Sequence, residues 1–158
     1  MKRIMVDDDS STIDALDAKI LAVLSEDARK SSREIAEAIG VSPGTVYNRI
    51  KKMTERGVIR GYAPLLDHSR MGYGFTTLIL IQVEGGHILD VEQRLATTPE
   101  VVAVYDITGE FDVALIAKFK SQAALNAFIK RILKTPHIKR TVTSMVLNVV
   151  KEDLRIPP

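Results

Sequence analysis

The stretch GVSPGTVYNRIKKMTERGVIRGY, residues 40–62, carries the clearest punctuation in this chain of 158 residues. Ser42 is a good helix N-cap, Pro43 suits the first helical position, where its missing N–H is no loss, and Gly57 suits the place just past a helix end. These signals predict one helix over residues 43–56. Val46, Ile50 and Met53 recur at i, i+4 and i+7 and form its buried stripe. The other side faces outward with Thr45, Asn48, Lys51 and Lys52. Ser42 and Gly44 stand at the tip, Tyr47 and Arg49 on the flanks, and no acid comes before Glu55.

Just upstream, residues 31–40 read as a shorter helix. Ser31 and Glu34 have capping-box spacing, Ile35, Ala36 and Ile39 make the inner face, and Gly40 stops it. Only Gly40 and Val41 separate it from the next cap. A tight, glycine-containing turn between two short helices is the helix-turn-helix arrangement, whose second helix enters the major groove of DNA. Charge agrees with that use. Residues 29–62 hold eight Lys and Arg against three Glu, in a chain whose net charge is only +2. Basic side chains are thus gathered where phosphates would lie.

Composition sets the class. Hydrophobic residues make up 46% and charged residues 27%, as in a soluble globular protein of one domain or two small ones. The longest apolar run, near Leu78 to Ile81, is strand-sized, so no membrane span is expected. Asp7, Asp8 and Asp9 follow Lys2 and Arg3 with no apolar segment after them, which is unlike a secretory signal. The absence of cysteine excludes disulfides, a thiolate nucleophile and cysteine-ligated zinc, and a cytoplasmic location is expected.

Taken in order, residues 1–12 have no hydrophobic period and read as a loose acidic leader. Leu16, Ile20, Leu21 and Leu24 give an amphipathic helix capped by Asp14, with Asp17 in its first turn, ending near Asp27. Residues 58–62 turn extended and read as a short wing or linker strand continuing to Gly72, although Pro64 keeps it from being a central strand. After Gly72 the period changes. A strand over residues 75–84 precedes a helix patterned by Ile88, Val91, Glu92 and Leu95. A hairpin follows, with strands 101–108 and 112–119 around Gly109 and Glu110. A helix with Leu125, Phe128, Ile129, Ile132 and Leu133 inward leads to a strand over residues 138–151. The order β-α-β-β-α-β is that of the ferredoxin-like split βαβ, an antiparallel sheet with both helices on one face. The fold class is therefore α+β: an N-terminal winged helix-turn-helix and a C-terminal ferredoxin-like βαββαβ sandwich. The expected divisions are a leader to residue 12, a helix-turn-helix DNA-binding domain over 13–61, a linker strand over 62–73, a second domain over 74–152, and a tail over 153–158. Leu78 to Ile81 and Val113 to Ile116 are apolar on both alternating registers. That predicts a second copy packed on the face the helices leave open, the alternative being that these are the buried central strands of a monomer.

The segments IDALDAKIL, EIAEAIGVSPGTVYNRIKKM, GVIRGYAPLLD, TGEFDVAL and IKRTVTSMVLNVVKE, in this order and spacing, resemble the Lrp/AsnC family, the leucine-responsive or "feast/famine" transcription regulators. The resemblance covers residues 13–152. Ile13 and Met53 stand where the family usually has leucine. What it implies is an N-terminal DNA-binding domain tethered to a C-terminal ligand-sensing domain that makes dimers, often octamers, and commonly responds to amino acids. The effector would be held between sensing domains near the G-x-x-D hairpin, which nominates Thr108, Gly109 and Asp112, with Thr141 and Thr143 of the R-T-x-T motif from a facing subunit. Asp112 suits an ammonium and the backbone N–H groups at Gly109 a carboxylate. The same two residues would equally serve as ordinary hairpin chemistry.

On double-stranded DNA, Ser42, Thr45, Tyr47 and Asn48 are the expected readers of base edges, and Arg49, Lys51, Lys52 and Arg60 the expected phosphate contacts. Two other readings compete. One is an architectural protein that compacts DNA without an effector. The other is an enzyme, since the chain also distantly resembles haem-pathway decarboxylases of the same two-domain plan, in which histidines handle a tetrapyrrole. Against it, His68, His87 and His137 lie in expected loops or element ends without ligand spacing, and no Ser/His/Asp grouping, phosphate-binding glycine loop or clustered carboxylate pair is legible. No catalytic residue, cofactor or metal is expected.

Overall fold

The computed structural model describes residues 13–153 and 155. The acidic leader expected over residues 1–12 lies outside them. The described residues divide into two compact units, one of residues 66–151, the other of residues 13–65 with residues 152, 153 and 155.

The first unit is three helices, α1 (Ala15–Glu26), α2 (Ser32–Ile39) and α3 (Pro43–Glu55). Local chemistry sets their ends. Asp14 caps α1 by accepting from the backbone N–H groups of Leu16 and Asp17, each at 2.9 Å, and Asp17 reaches back to complete a capping box. Ser31 and Glu34 do the same for α2, which stops at Gly40 in the left-handed region, φ 75°. Ser42 Oγ accepts from Thr45 N–H at 3.1 Å, and Pro43 opens α3. Past its C-cap, Arg56, the N–H of Gly57 donates to the Thr54 carbonyl and that of Val58 to the Met53 carbonyl, at 3.0 and 2.9 Å. This is the Schellman closure, and it needs the positive φ of Gly57, 76°. Ile20, Leu24, Ile35, Ala36, Val46, Met53 and Ile59 form the core. Each such burial contributes about 1.5–3 kcal/mol for the larger aliphatic side chains. Arg155 returns to this unit, its Nη1 donating to the Ser25 carbonyl at 3.1 Å. It places a cation at the C-terminal end of α1, which has no basic residue in its own last turn.

The expected wing or linker strand is not formed: among the described residues nothing between Ile59 and Gly74 is strand. Pro64 lacks an N–H and Gly61 stands at φ 154°, so the stretch is poorly suited to a ladder. Of this stretch Ile59 is drawn into the core and Val58 packs against it.

The second unit is a four-stranded sheet with strands β1 (Phe75–Val83), β2 (Val101–Asp106), β3 (Val113–Phe119) and β4 (Ile138–Met145), and helices α4 (Ile88–Ala96) and α5 (Gln122–Ile132). The spatial order is β2-β3-β1-β4, antiparallel at every pairing. Ile79, Ile81 and Val83 of β1 and Val113, Leu115, Ala117 and Phe119 of β3 meet Val91, Leu95, Leu125, Phe128 and Ile132 of the helices in one core. Phe119 and Phe128 lie 5.1 Å apart, tilted by 60°. Alternation sends Leu78, Leu80, Ala114 and Ile116 to the opposite face, which no helix covers. β2 ends at Asp106, two residues before the expected end, and larger differences from expectation lie in α5 and β4. Leu133, expected inward, is the C-cap of α5 and 57% exposed, having passed beyond the last turn that packs. β4 ends at Met145, six residues before the expected end. Val146 N–H still donates to the Thr76 carbonyl at 2.9 Å, but Leu147 and Val150 are almost fully exposed.

Candidate nucleic-acid interface and effector site

On α3 the buried stripe of Val46 and Met53 turns the remaining surface outward. Tyr47, Asn48, Lys51 and Lys52 are exposed, and so is Arg60 beyond the helix. Ser42 Oγ and Thr45 Oγ1 are 2.8 Å apart, so the two hydroxyls at the tip hold each other in place while keeping lone pairs to spare. Lys51 makes a loose i,i+4 pair with Glu55 at 3.9 Å. The tip and the outer face of α3 therefore present hydroxyl, amide and phenol groups flanked by lysines.

Arg49 is different. Expected among the phosphate contacts, its guanidinium instead pairs with Asp14 and, at 3.4 Å, with the buried Asp17 of α1. The physical reason is Asp17: a carboxylate buried at an N-terminal turn needs a cation, and Arg49 is the cation α3 brings to it. The Asp17 backbone N–H, and after it Arg49, hold the Asp14 carboxyl below its usual 3.8. Asp14 and Asp17 were legible as a cap, but their link to Arg49 crosses more than thirty residues of sequence.

At the far end of the sheet, Ile107 N–H donates to the Asp112 carbonyl at 2.9 Å and closes the β2–β3 hairpin. Thr108 and Gly109 stand exposed in this turn, Gly109 at φ 123°, a conformation that disfavours any side chain. Asp112 is half-buried, and its Oδ2 accepts from Val83 N–H at 2.7 Å while its own N–H donates to the Ile81 carbonyl at 3.0 Å. The carboxylate thus extends the β1–β3 ladder where the backbone pairing runs out. Thr141 and Thr143 lie on β4 opposite Ile81 and Ile79. Within one copy, β1 stands between them and Asp112. The structure gathers Thr108, Gly109 and Asp112 at one turn and sets the two threonines one strand further along.

Two features here were not read from sequence. Arg140, the first residue of the R-T-x-T motif, reaches to the hairpin tip, where its Nη1 donates to Glu110 Oε1 at 3.1 Å and its guanidinium lies 5.6 Å from the Phe111 ring. His87 and His137 also come together, their rings 3.6 Å apart and nearly parallel. Glu84 stands 3.0 Å from His137 Nδ1, and Asp90 3.7 Å from His87 Nδ1. Face-to-face rings direct their nitrogen lone pairs along parallel planes, so they do not converge on one ion. Among the described residues no group of three or more His, Asp or Glu is placed to hold a metal.

Similarity to known proteins follows the same division. Residues 13–60 match the family model described as winged helix-turn-helix DNA-binding, and residues 76–156 the one described as the Lrp/AsnC ligand binding domain. An uncharacterized HTH-type transcriptional regulator of Pyrococcus furiosus is 44% identical over 146 residues, covering 92% of this chain and 99% of that protein. The structure of AsnC from E. coli aligns with a TM-score of 0.85 at 30% identity, over 93% of this chain and 99% of that one. A transcriptional regulator from Neisseria meningitidis, solved as a complex with L-Met, aligns with a TM-score of 0.83 at 28% identity, over 92% of this chain and 97% of that one.

Proposed function

Since the chain belongs to the Lrp/AsnC family of DNA-binding transcriptional regulators with a ligand-binding domain, we propose that it reads a specific, partly palindromic DNA site as a homodimer, under the control of an amino acid. One observation carries the DNA reading: α3 buries Val46 and Met53 and turns Ser42, Tyr47 and Asn48, with half-buried Thr45, outward ahead of the exposed Lys51 and Lys52. A helix so divided fits the major groove with its N-terminal tip on base edges and its flanks on phosphates. Asn48 suits an adenine edge, and Lys51, Lys52 and Arg60 suit phosphates, which position the helix without specifying sequence. Arg49 is assigned to the α1–α3 contact instead. Two-fold symmetry would set the recognition helices of a dimer about 34 Å apart, in successive major grooves.

The dimer reading rests on the uncovered sheet face, where Leu78, Leu80 and Ile116 would meet a second copy; octamers would be assemblies of such dimers. The effector reading rests on the hairpin turn. Backbone N–H groups at Gly109 suit a carboxylate, and Asp112, with Oδ2 turned to Val83, keeps a negative charge for an ammonium. Thr141 and Thr143 of a facing copy would complete the site. The neighbouring structure bound to L-Met supports an amino acid as the class of ligand. Such a ligand acts only by preferring one assembly, or one DNA-binding state, over another.

The test of the DNA reading is enrichment of binding sites from a random duplex pool, followed by fluorescence anisotropy at fixed salt. The enriched duplex should bind about 10³-fold or more tighter than random DNA. Equal affinity for both would replace a sequence reader with an architectural protein.

A further inference from the structure

Glu92 is the one side chain among the described residues with a buried polar atom lacking a hydrogen-bond partner. The residue is 3% exposed, and the unpartnered atom is Oε1. It lies on α4 between Val91 and Leu95, both in the core, where α4 packs against β2. Asp106 ends β2 in register with Val113, a core residue, so it stands on the same side of the sheet that α4 covers. Burial first, and then the charge of Asp106, push the Glu92 carboxyl above its usual 4.5. The neighbour that acts on this buried acid is therefore a second acid, which makes matters worse rather than better.

A buried carboxylate oxygen without a donor is unfavourable, and native proteins keep few of them. The placement supplies a reason for this one. Asp106, which is exposed, precedes Thr108 of the hairpin turn by two residues, so the acid that acts on Glu92 borders the turn assigned above to the effector. Resting on that effector reading, we infer that Glu92 and Asp106 form a subsite for a cationic group, the terminal ammonium or guanidinium of a basic amino acid. The cation would give Oε1 its missing donor and offset both charges at once. The Gly109 turn would meanwhile hold the α-carboxylate and Asp112 the α-ammonium. A site built this way rejects a neutral analogue of the same length, because that analogue leaves the buried acid unpaired.

Titration calorimetry on the full chain with L-lysine, L-arginine, L-norleucine and L-methionine at one ionic strength tests this. The basic amino acids should bind at least about tenfold tighter than the neutral ones. Glu92→Gln, which keeps the shape of the side chain, should abolish that preference, and Asp106→Asn should weaken it. Neutral amino acids binding as tightly as lysine, or a preference that survives both variants, would overturn the subsite while leaving the effector reading intact. Heat from none of the four would remove the subsite, and the pool of all twenty amino acids would then decide the effector reading by itself. The carboxyl carbon resonance of Glu92 gives a readout independent of variant folding. Saturating lysine should lower its titration midpoint and norleucine should not; a midpoint indifferent to lysine would contradict the inference.

Discussion

The Asp112 carboxylate accepts a hydrogen bond from the Val83 backbone N–H at 2.7 Å, so the acid nominated for effector binding is also a rung of the sheet. Both readings of the G-x-x-D hairpin are thus compatible, one oxygen serving the fold and the charge remaining for a ligand. The two duties separate by substitution. Asp112→Ala leaves the Val83 N–H without its acceptor and should cost about 1–3 kcal/mol in urea denaturation. Asp112→Asn retains an acceptor oxygen and should keep most of that stability while losing the charge. Calorimetry should then show weaker amino-acid binding in a protein that is still folded; equal binding by Asp112→Asn would confine Asp112 to the structural duty.

Arg49 and Lys52 sit three residues apart on α3 and should respond oppositely. Arg49→Ala leaves the buried Asp17 without its cation, so the expected outcome is a lower melting temperature with an unchanged salt slope of DNA binding. Lys52→Ala should leave the melting temperature alone, weaken binding to every duplex, and reduce the slope of log affinity against log salt by about 1. Reversal of these two patterns would return Arg49 to the phosphate contacts.

Asn48→Ala should cost about 1–3 kcal/mol on the enriched duplex and little on random DNA, as measured by anisotropy. Equal losses on both would remove Asn48 from the base readers.

The pH dependence of stability carries two opposite signs. Asp14, Asp27, Glu34, Asp67 and Glu84 all have depressed carboxyl pKa values, so their contributions are present above the ordinary carboxylate range and are lost as pH falls. Glu92 is raised, so the native state holds its proton more tightly than the unfolded chain does. Its contribution is complete below the ordinary 4.5 and is lost as pH rises through the raised native value. Comparing melting temperatures of the native chain and Glu92→Gln across this range isolates it. The native chain should lose ground to the variant as pH rises; a constant difference would mean that Glu92 titrates normally.

What could be read in advance was what is decided locally. Ser42, Ser31 and Asp14 cap their helices through residues two or three positions away, and Gly40 and Gly57 end theirs through backbone freedom, so these helices were legible to within a residue or two. The β-α-β-β-α-β order followed from the change of hydrophobic period after Gly72. What was missed depends on distant partners. Arg49 reads as a surface cation until Asp17 is placed beside it, Arg140 until the hairpin tip comes within reach, and Glu92 as one polar position in an apolar stripe until β2 covers it. The strand expected after Ile59 failed for a related reason: extended propensity does not make a strand without a partner ladder, and Pro64 offers no N–H to one.

The most direct measurement is sedimentation velocity of the full chain on its enriched duplex, with and without a pool of the twenty amino acids. The account predicts an even number of copies on each duplex and a distribution that shifts when the pool is added. Single copies bound to the duplex would contradict the packing of a second chain on the open sheet face, and a distribution indifferent to every amino acid would contradict effector control.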